Sequence, residues 1–217
     1  LLLARVGSQA ISPAIDSTIP YKWDDFTFLS VLELNPTACA VRADAPYRSL
    51  GELVDYLKNN PGKLNYPNSG EGSIPYMATQ LLFSLGGLDK NVAAGIPYKS
   101  DGDSVNALLG RHVQFICANS TAMIPHIKSG SLRGLAVSIP ERMNEVPDVP
   151  TAREAGFSGL EKVVGWSALY GPPGLPKALV GKWAEVMTKV AQDTNWVAAN
   201  EKFGGIPAVR SPAETEK

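Results

Sequence analysis

Residues 64–73 read Leu-Asn-Tyr-Pro-Asn-Ser-Gly-Glu-Gly-Ser, and they hold the strongest candidate for chemistry in the chain. Residues 64–66 have the length of a strand end. Asn68, Ser69, Gly70, Gly72 and Ser73 then make a turn, and a helix follows with Met77, Leu81, Leu82 and Leu85 on one face. Ser73 is placed to cap that helix, and Pro75 falls in its first turn, where a missing N–H is harmless. A glycine-rich turn that delivers a helix N-terminus leaves backbone N–H groups beside the positive end of the helix dipole, which suits a carboxylate or a phosphate. No Gly-Lys-Ser/Thr follows, so this is not a P-loop, and a single Gly-x-Gly is a weak dinucleotide signal. The same glycines would equally serve a tight turn without a ligand.

Two further strand ends carry polar or small groups, Tyr98-Lys99-Ser100 and residues 118–121 with Asn119 and Ser120. In α/β sheets ligands bind beyond the carboxyl ends of strands. A cation at Lys99 would favour an anion there, although a lysine closing an exposed turn reads the same way. Trp166 either lines a ligand site or fills a core. Catalytic constellations are lacking: His112 and His126 have no acidic partner at motif spacing, Ser73 is not in a Gly-x-Ser-x-Gly elbow, and Asp101 and Asp103 sit where carboxylates complement a helix dipole. No catalytic residue, metal or cofactor is expected. Cys39 and Cys117 are either two buried thiols or one disulfide.

At 217 residues the chain can bury a large core as one domain or two. Its formal net charge is -1 and it has no basic stripe, so nucleic acid is not expected as a partner. No apolar run approaches the roughly 20 residues of a membrane span, so direct membrane insertion is not expected either. The opening Leu-Leu-Leu-Ala has no basic region or cleavage site and reads as a buried, central parallel strand at residues 1–6 entered midway. The closing Ser-Pro-Ala-Glu-Thr-Glu-Lys reads as a helix cap and first turn. Both suggest that sequence of the whole protein lies outside this stretch.

Taken in order, a helical turn is expected from Ser12-Pro13, a strand over 24–34, an interruption at Asn35-Pro36, and a second extended run over 38–42. Two strands with almost no loop between them suggest a chain passing from one domain into another. Residues 49–60 form the best-marked helix, with Ser49 as cap, Glu52 closing a capping box and Pro61-Gly62 as the stop. Strands at 92–97, 113–117 and 132–138 alternate with helices at 101–109 and 119–128, the pattern of a parallel sheet covered by helices. A short helical piece is expected over 151–155, a strand over 162–170 with a second crossing nearby, and amphipathic helices over 179–192 (Leu179, Val180, Trp183, Val186 and Val190) and 195–203.

Residues 64–73, Ile96-Pro97-Tyr98-Lys99, Leu108-Leu109-Gly110, residues 122–137 and the run from Val146-Pro147-Asp148 through Glu154-Ala155-Gly156 occur together in an order that resembles the solute-binding receptors of tripartite tricarboxylate transporters, the Bug family. The resemblance covers nearly the whole chain. It implies an α/β, two-lobed periplasmic-binding-protein-like fold, with residues 1–34 and 164–217 in the first lobe and 35–163 in the second. It also implies a periplasmic receptor that captures a small dicarboxylic, amino or aromatic acid between its lobes and hands it to integral membrane transporter subunits. The ligand residues would be Ser69, Gly70, Gly72, Ser73, Tyr98, Lys99, Asn119, Ser120 and Trp166. Where the family commonly has Phe-Asp-Asn this chain has Cys117-Ala118-Asn119, removing an acceptor, and Ser100 stands where Gly usually follows Lys. The family's first strand and its glycine-rich loop would precede Leu1. A whole receptor would be monomeric, and a piece lacking that part would either be less stable or pair with a second copy through its uncovered edge. The alternative reading is an enzyme that uses the same loop to bind a phosphorylated substrate or cofactor.

Overall fold

The computed structural model describes residues 1–202 and 204–216. In order these form β1 (Leu2–Arg5), a π-helical turn (Gly7–Ile11), α1 (Ser12–Ile15), β2 (Thr27–Arg42), α2 (Leu50–Asn59), β3 (Asn65–Asn68), α3 (Ile74–Leu85), β4 (Ala94–Pro97) and α4 (Asp101–Leu109). They continue as β5 (Phe115–Asn119), α5 (Ser120–Lys128), β6 (Leu132–Val137), a 3-10 turn (Ser158–Lys162), β7 (Val164–Gly171), α6 (Lys177–Ala191), α7 (Thr194–Lys202), β8 (Ile206–Pro207) and α8 (Pro212–Thr215). The helix expected over 195–203 is α7; its last expected residue, Phe203, lies outside the described residues, as does Lys217. The chain divides into two compact units, Leu1–Asn35 with Gly165–Lys217, and Pro36–Val164.

The second unit is built on the C-terminal half of β2. β5 pairs with it antiparallel from Thr37↔Asn119 to Val41↔Phe115, and β6 pairs with its other edge from Ala38↔Val137 to Arg42↔Leu132. Side chains of a strand alternate between faces. Cys39 and Val41, with Phe115 and Cys117 opposite, therefore join one buried cluster containing Leu50, Leu53, Leu57, Tyr66 and Phe83. Ala38 and Ala40, with Ile116 and Ala118 opposite, join a second containing Val105, Leu108, Met123 and Ile124. Cys39 and Cys117 form a disulfide.

The expected all-parallel sheet is corrected here. β3 and β4 are parallel, from Asn65↔Ala94 to Asn68↔Pro97, and β5 and β6 run alike, but β2 lies antiparallel between those two. Local periodicity reveals helical crossovers and cannot reveal a strand of opposite direction inserted between their ends. The interruption expected at Asn35-Pro36 is also absent, because β2 is one strand of 16 residues. Pro36 lies where β2 changes partners, from β8 at Glu33 and Leu34 to β5 at Thr37, a position at which its missing N–H is tolerated.

Helix signals fared according to how local they are. Ser49 accepts from Glu52 N at 3.1 Å, as expected, but the Glu52 carboxylate accepts from Arg48 N at 2.6 Å, one residue outside the expected capping box. α3 buries Pro75, Ala78, Thr79, Leu82 and Phe83, leaving Met77 and Leu85 exposed, so the face assigned from its apolar spacing is rotated. The helix expected over 151–155 is a turn, in which Thr151 Oγ1 accepts from Glu154 N and Glu154 Oε2 accepts from Thr151 N.

In the first unit β1 pairs antiparallel with β7, from Leu2↔Tyr170 to Arg5↔Ser167, and β7 pairs with β2. Its core contains Ala4, Val31, Ala168 and Tyr170, with Phe26, Phe28, Leu34 and Trp166 packed on it. The strand expected at residues 1–6 is present as β1, but it runs antiparallel to β7 rather than parallel to its neighbour. Among the described residues β7 is its one strand partner, and Leu1 and Leu3 are 68% and 65% exposed while Ala4 is buried. α6 likewise buries Met187 alone, with Leu179 and Val186 exposed. α8 carries the expected cap, a reciprocal box between Ser211 and Glu214.

Phe115 is fully buried, with ring centroids 5.7 Å from Tyr66 and 6.3 Å from Phe83. Phe115→Ala should cost about 3–5 kcal/mol in urea unfolding, and a loss under about 1 kcal/mol would mean that this core is not packed as described. Burial pushes the Tyr170 phenol up to about 12, and burial with Tyr56 beside it does the same for Tyr47. A raised phenol holds its proton more tightly in the folded chain, so its contribution to stability is intact below the ordinary value of about 10 and is lost as pH rises towards 12. Urea midpoints should therefore fall between about pH 9 and about pH 11, and Tyr170→Phe should flatten that fall. An equal fall in the variant would contradict this cause.

Candidate functional site

Eight of the nine expected ligand residues lie in the second unit, at the carboxyl ends of β3, β4 and β5; Trp166, on β7, belongs to the first. Pairing brings the ends of β3 and β4 together, in a two-stranded sheet separate from the sheet that holds β5. β3 and β4 run side by side in register, and Tyr98 N donates to Asn68 O at 2.7 Å just beyond the last paired residues. β5 starts beside the start of β3: Gln114 N donates to Asn65 O at 3.0 Å, and the Gln114 side chain accepts from Asn65 N at 2.8 Å.

The turn from β3 to α3 needs its glycines. Gly70 and Gly72 have φ of 102° and 80°, the left-handed region that L side chains resist. Asn68 Oδ1 accepts from Gly70 N at 2.8 Å, forming an Asx turn. Ser73 Oγ donates to Gly70 O at 2.7 Å and accepts from Ser69 N at 3.3 Å and Tyr76 N at 3.4 Å. Ser73 N donates to Gly70 O at 3.2 Å. The amides of Ser69, Gly70 and Ser73 are thus already used inside the turn. Those of Glu71, Gly72 and Ile74 make no hydrogen bond among the described residues. They lie at the N-terminal end of a 12-residue helix, where unpaired N–H groups and the helix dipole both favour an anion.

Around this turn, Tyr98 is half-buried and packs against the second core cluster, while Lys99 is exposed and forms no ion pair among the described residues. Asn119 stands at the N-cap position of α5 without a side-chain cap bond, and its Nδ2 donates to Asp101 Oδ2 at 2.7 Å. Ser120 is fully buried in the first turn of α5. A cavity of about 650 Å³ opens beside the turn, lined among others by Tyr66, Asn68, Gly70, Glu71, Tyr76 and Lys90. Within it the Tyr66 hydroxyl accepts from Gln80 Nε2 at 3.0 Å, and burial raises the Tyr66 phenol above its ordinary value. Trp166 is half-buried in the first unit, its ring 6.5 Å from Tyr170.

Sequence reasoning placed Asn68 in the turn without giving it a role, and an Asn two residues before a Gly was the signal for its Asx bond. It read Asp101 as a helix-dipole residue alone. The bond to Asn119 has no sequence signal, since 18 residues separate the two. That bond puts a carboxylate beside the end of β5. Ser73→Ala should lose the cap and both turn bonds, costing about 1 kcal/mol in urea unfolding and speeding amide exchange at Ser69 and Tyr76. Unchanged exchange there would show that Ser73 does not order the turn.

A profile of the tripartite tricarboxylate transporter family receptor matches residues 2–216. Among curated relatives, a UPF0065 protein of Bordetella pertussis is 29% identical over 84% of this chain and 55% of its own length. Among solved structures, Rpa4515 of R. palustris with adipate is 25% identical with a TM-score of 0.87, over 99% of this chain and 71% of that one. MatC of Rhodopseudomonas palustris with bound malate is 27% identical with a TM-score of 0.82, over 94% of this chain and 69% of that one. The chain spans 55% to 69% of the length of the first curated relatives it matches. With the α/β fold shared and the match running through nearly every residue, the chain belongs to the receptor family of tripartite tricarboxylate transporters.

Proposed function

We propose that this chain serves a periplasmic solute-binding receptor that captures a small carboxylate and presents it to membrane transporter subunits. Its two units would be the receptor's lobes, the first made of Leu1–Asn35 with Gly165–Lys217 and the second of Pro36–Val164. The observation that carries this reading is the set of unpaired amides at Glu71, Gly72 and Ile74, in a chain whose relatives hold malate and adipate. One carboxylate of the ligand takes hydrogen bonds from these amides, with Ser69, Gly70 and Ser73 shaping the turn that presents them. Lys99 adds a cation, Asn119 forms the far wall with Ser120 buried behind it, and Tyr98 supplies an apolar one. Neither relative's ligand is a phosphate ester, which favours the receptor over an enzyme acting on phosphorylated substrates.

Calorimetric titration with malate, adipate, an aromatic acid and a sugar phosphate tests this. Heat with one or more of the carboxylates and none with the sugar phosphate is expected, and the reverse would restore the enzyme reading. Lys99→Met should weaken the carboxylate about three-fold at low ionic strength, with a smaller effect at high salt. An effect independent of salt would exclude a simple charge contribution.

A further inference from the structure

The Cys39–Cys117 disulfide closes a loop of sequence separation 78 and lies wholly inside the core of the second unit. The two residues face each other in the β2–β5 ladder with Cα atoms 4.1 Å apart, the narrow kind of antiparallel pair. Their exposures are 3% and 0%, so neither an oxidant nor a reductant reaches them in the folded chain. Among the described residues no cysteine is free. Two residues beyond Cys117 the same ladder pairs Asn119 with Thr37, and Ser120 opens α5 immediately afterwards.

We propose that this disulfide is made on the unfolded chain and, once buried, locks the ligand end of β5, Asn119 and Ser120 included, against β2. The lock rests on the receptor reading only for its effect on ligand affinity. In the closing reaction one cysteine thiolate attacks a disulfide of an oxidant, protein or small molecule, and forms a mixed disulfide. The second thiolate displaces the oxidant's remaining sulfur. The chain gains one S–S bond and gives up two protons and two electrons, and the oxidant leaves reduced, as a dithiol where its disulfide was intramolecular and as two thiols where it was not. Oxidation must precede core closure, because the native fold hides both sulfurs. An oxidising compartment outside the cytosol supplies that chemistry.

Alkylation with iodoacetamide, read by intact mass, tests the first half. Denatured, unreduced protein should take up no label; denatured and reduced protein should take up two; native protein incubated with reductant should take up none. Two labels without reductant, or labelling of the native protein, overturns the lock. The second half is read by amide exchange at Asn119 and Ser120 and by carboxylate titration, comparing the oxidised protein with Cys39→Ala/Cys117→Ala. Faster exchange at both amides and affinity weaker by at least about five-fold are expected. Should that variant fail to fold, Cys39→Ala/Cys117→Val restores core volume and takes its place. Unchanged exchange overturns the lock whatever the titration shows. If the oxidised protein binds no carboxylate, the receptor reading falls, while the exchange comparison still decides the lock.

Discussion

The buried half of β2 is the constraint on which the second unit depends. Residues 38–41 are covered on both faces and hydrogen-bonded on both edges, so each side chain must fit one of two opposed clusters. A one-residue slip would exchange Cys39 and Val41 for Ala38 and Ala40, putting bulk where the second cluster has room for methyl groups and leaving the first cluster hollow. The register is further fixed beside the end of the paired stretch. Thr37 N donates to Ser138 Oγ, and both hydroxyls donate to Val163 O, a buried network that satisfies its members. Arg133 secures the other end by donating to the carbonyls of Ala43, Ala45 and Tyr47.

The site follows from that register. Since β5 ends opposite Thr37, Asn119 is held at the edge of the sheet, and its bond to Asp101 draws the start of α4 to the same place. α4 follows β4, β4 is in register with β3, and β3 leads into the turn that carries the three unpaired amides. The proposed anion site would thus be assembled from backbone groups that strand pairing aligns. This suits a receptor that must hold a carboxylate without altering it: fixed dipoles bind the charge, and no acid, base or nucleophile is needed.

What could be read from the sequence was what neighbours along the chain decide. Ser49, Ser73 and Ser211 cap the helices they were placed to cap, because a hydroxyl and an amide three residues later meet without help from elsewhere. The helix expected over 101–109 is observed with those limits as α4. What failed depended on a distant partner. Pro36 reads as a break until β2 is known to change neighbours beside it. Leu1 and Leu3 read as core, but among the described residues β1 has β7 alone as strand partner and leaves both exposed. Met77 and Ala78 are adjacent on α3, and only the surroundings decide which is inside. The disulfide was open for that reason too, since only the β2–β5 register sets Cys39 opposite Cys117.

The most direct test of the central claim is a backbone-amide NMR titration of the oxidised chain with malate. The largest shifts are expected at Glu71, Gly72 and Ile74, with smaller ones at Ser69, Lys99, Asn119 and Ser120. Saturable binding that leaves Glu71, Gly72 and Ile74 unmoved would contradict the assignment of the carboxylate to the turn that opens α3.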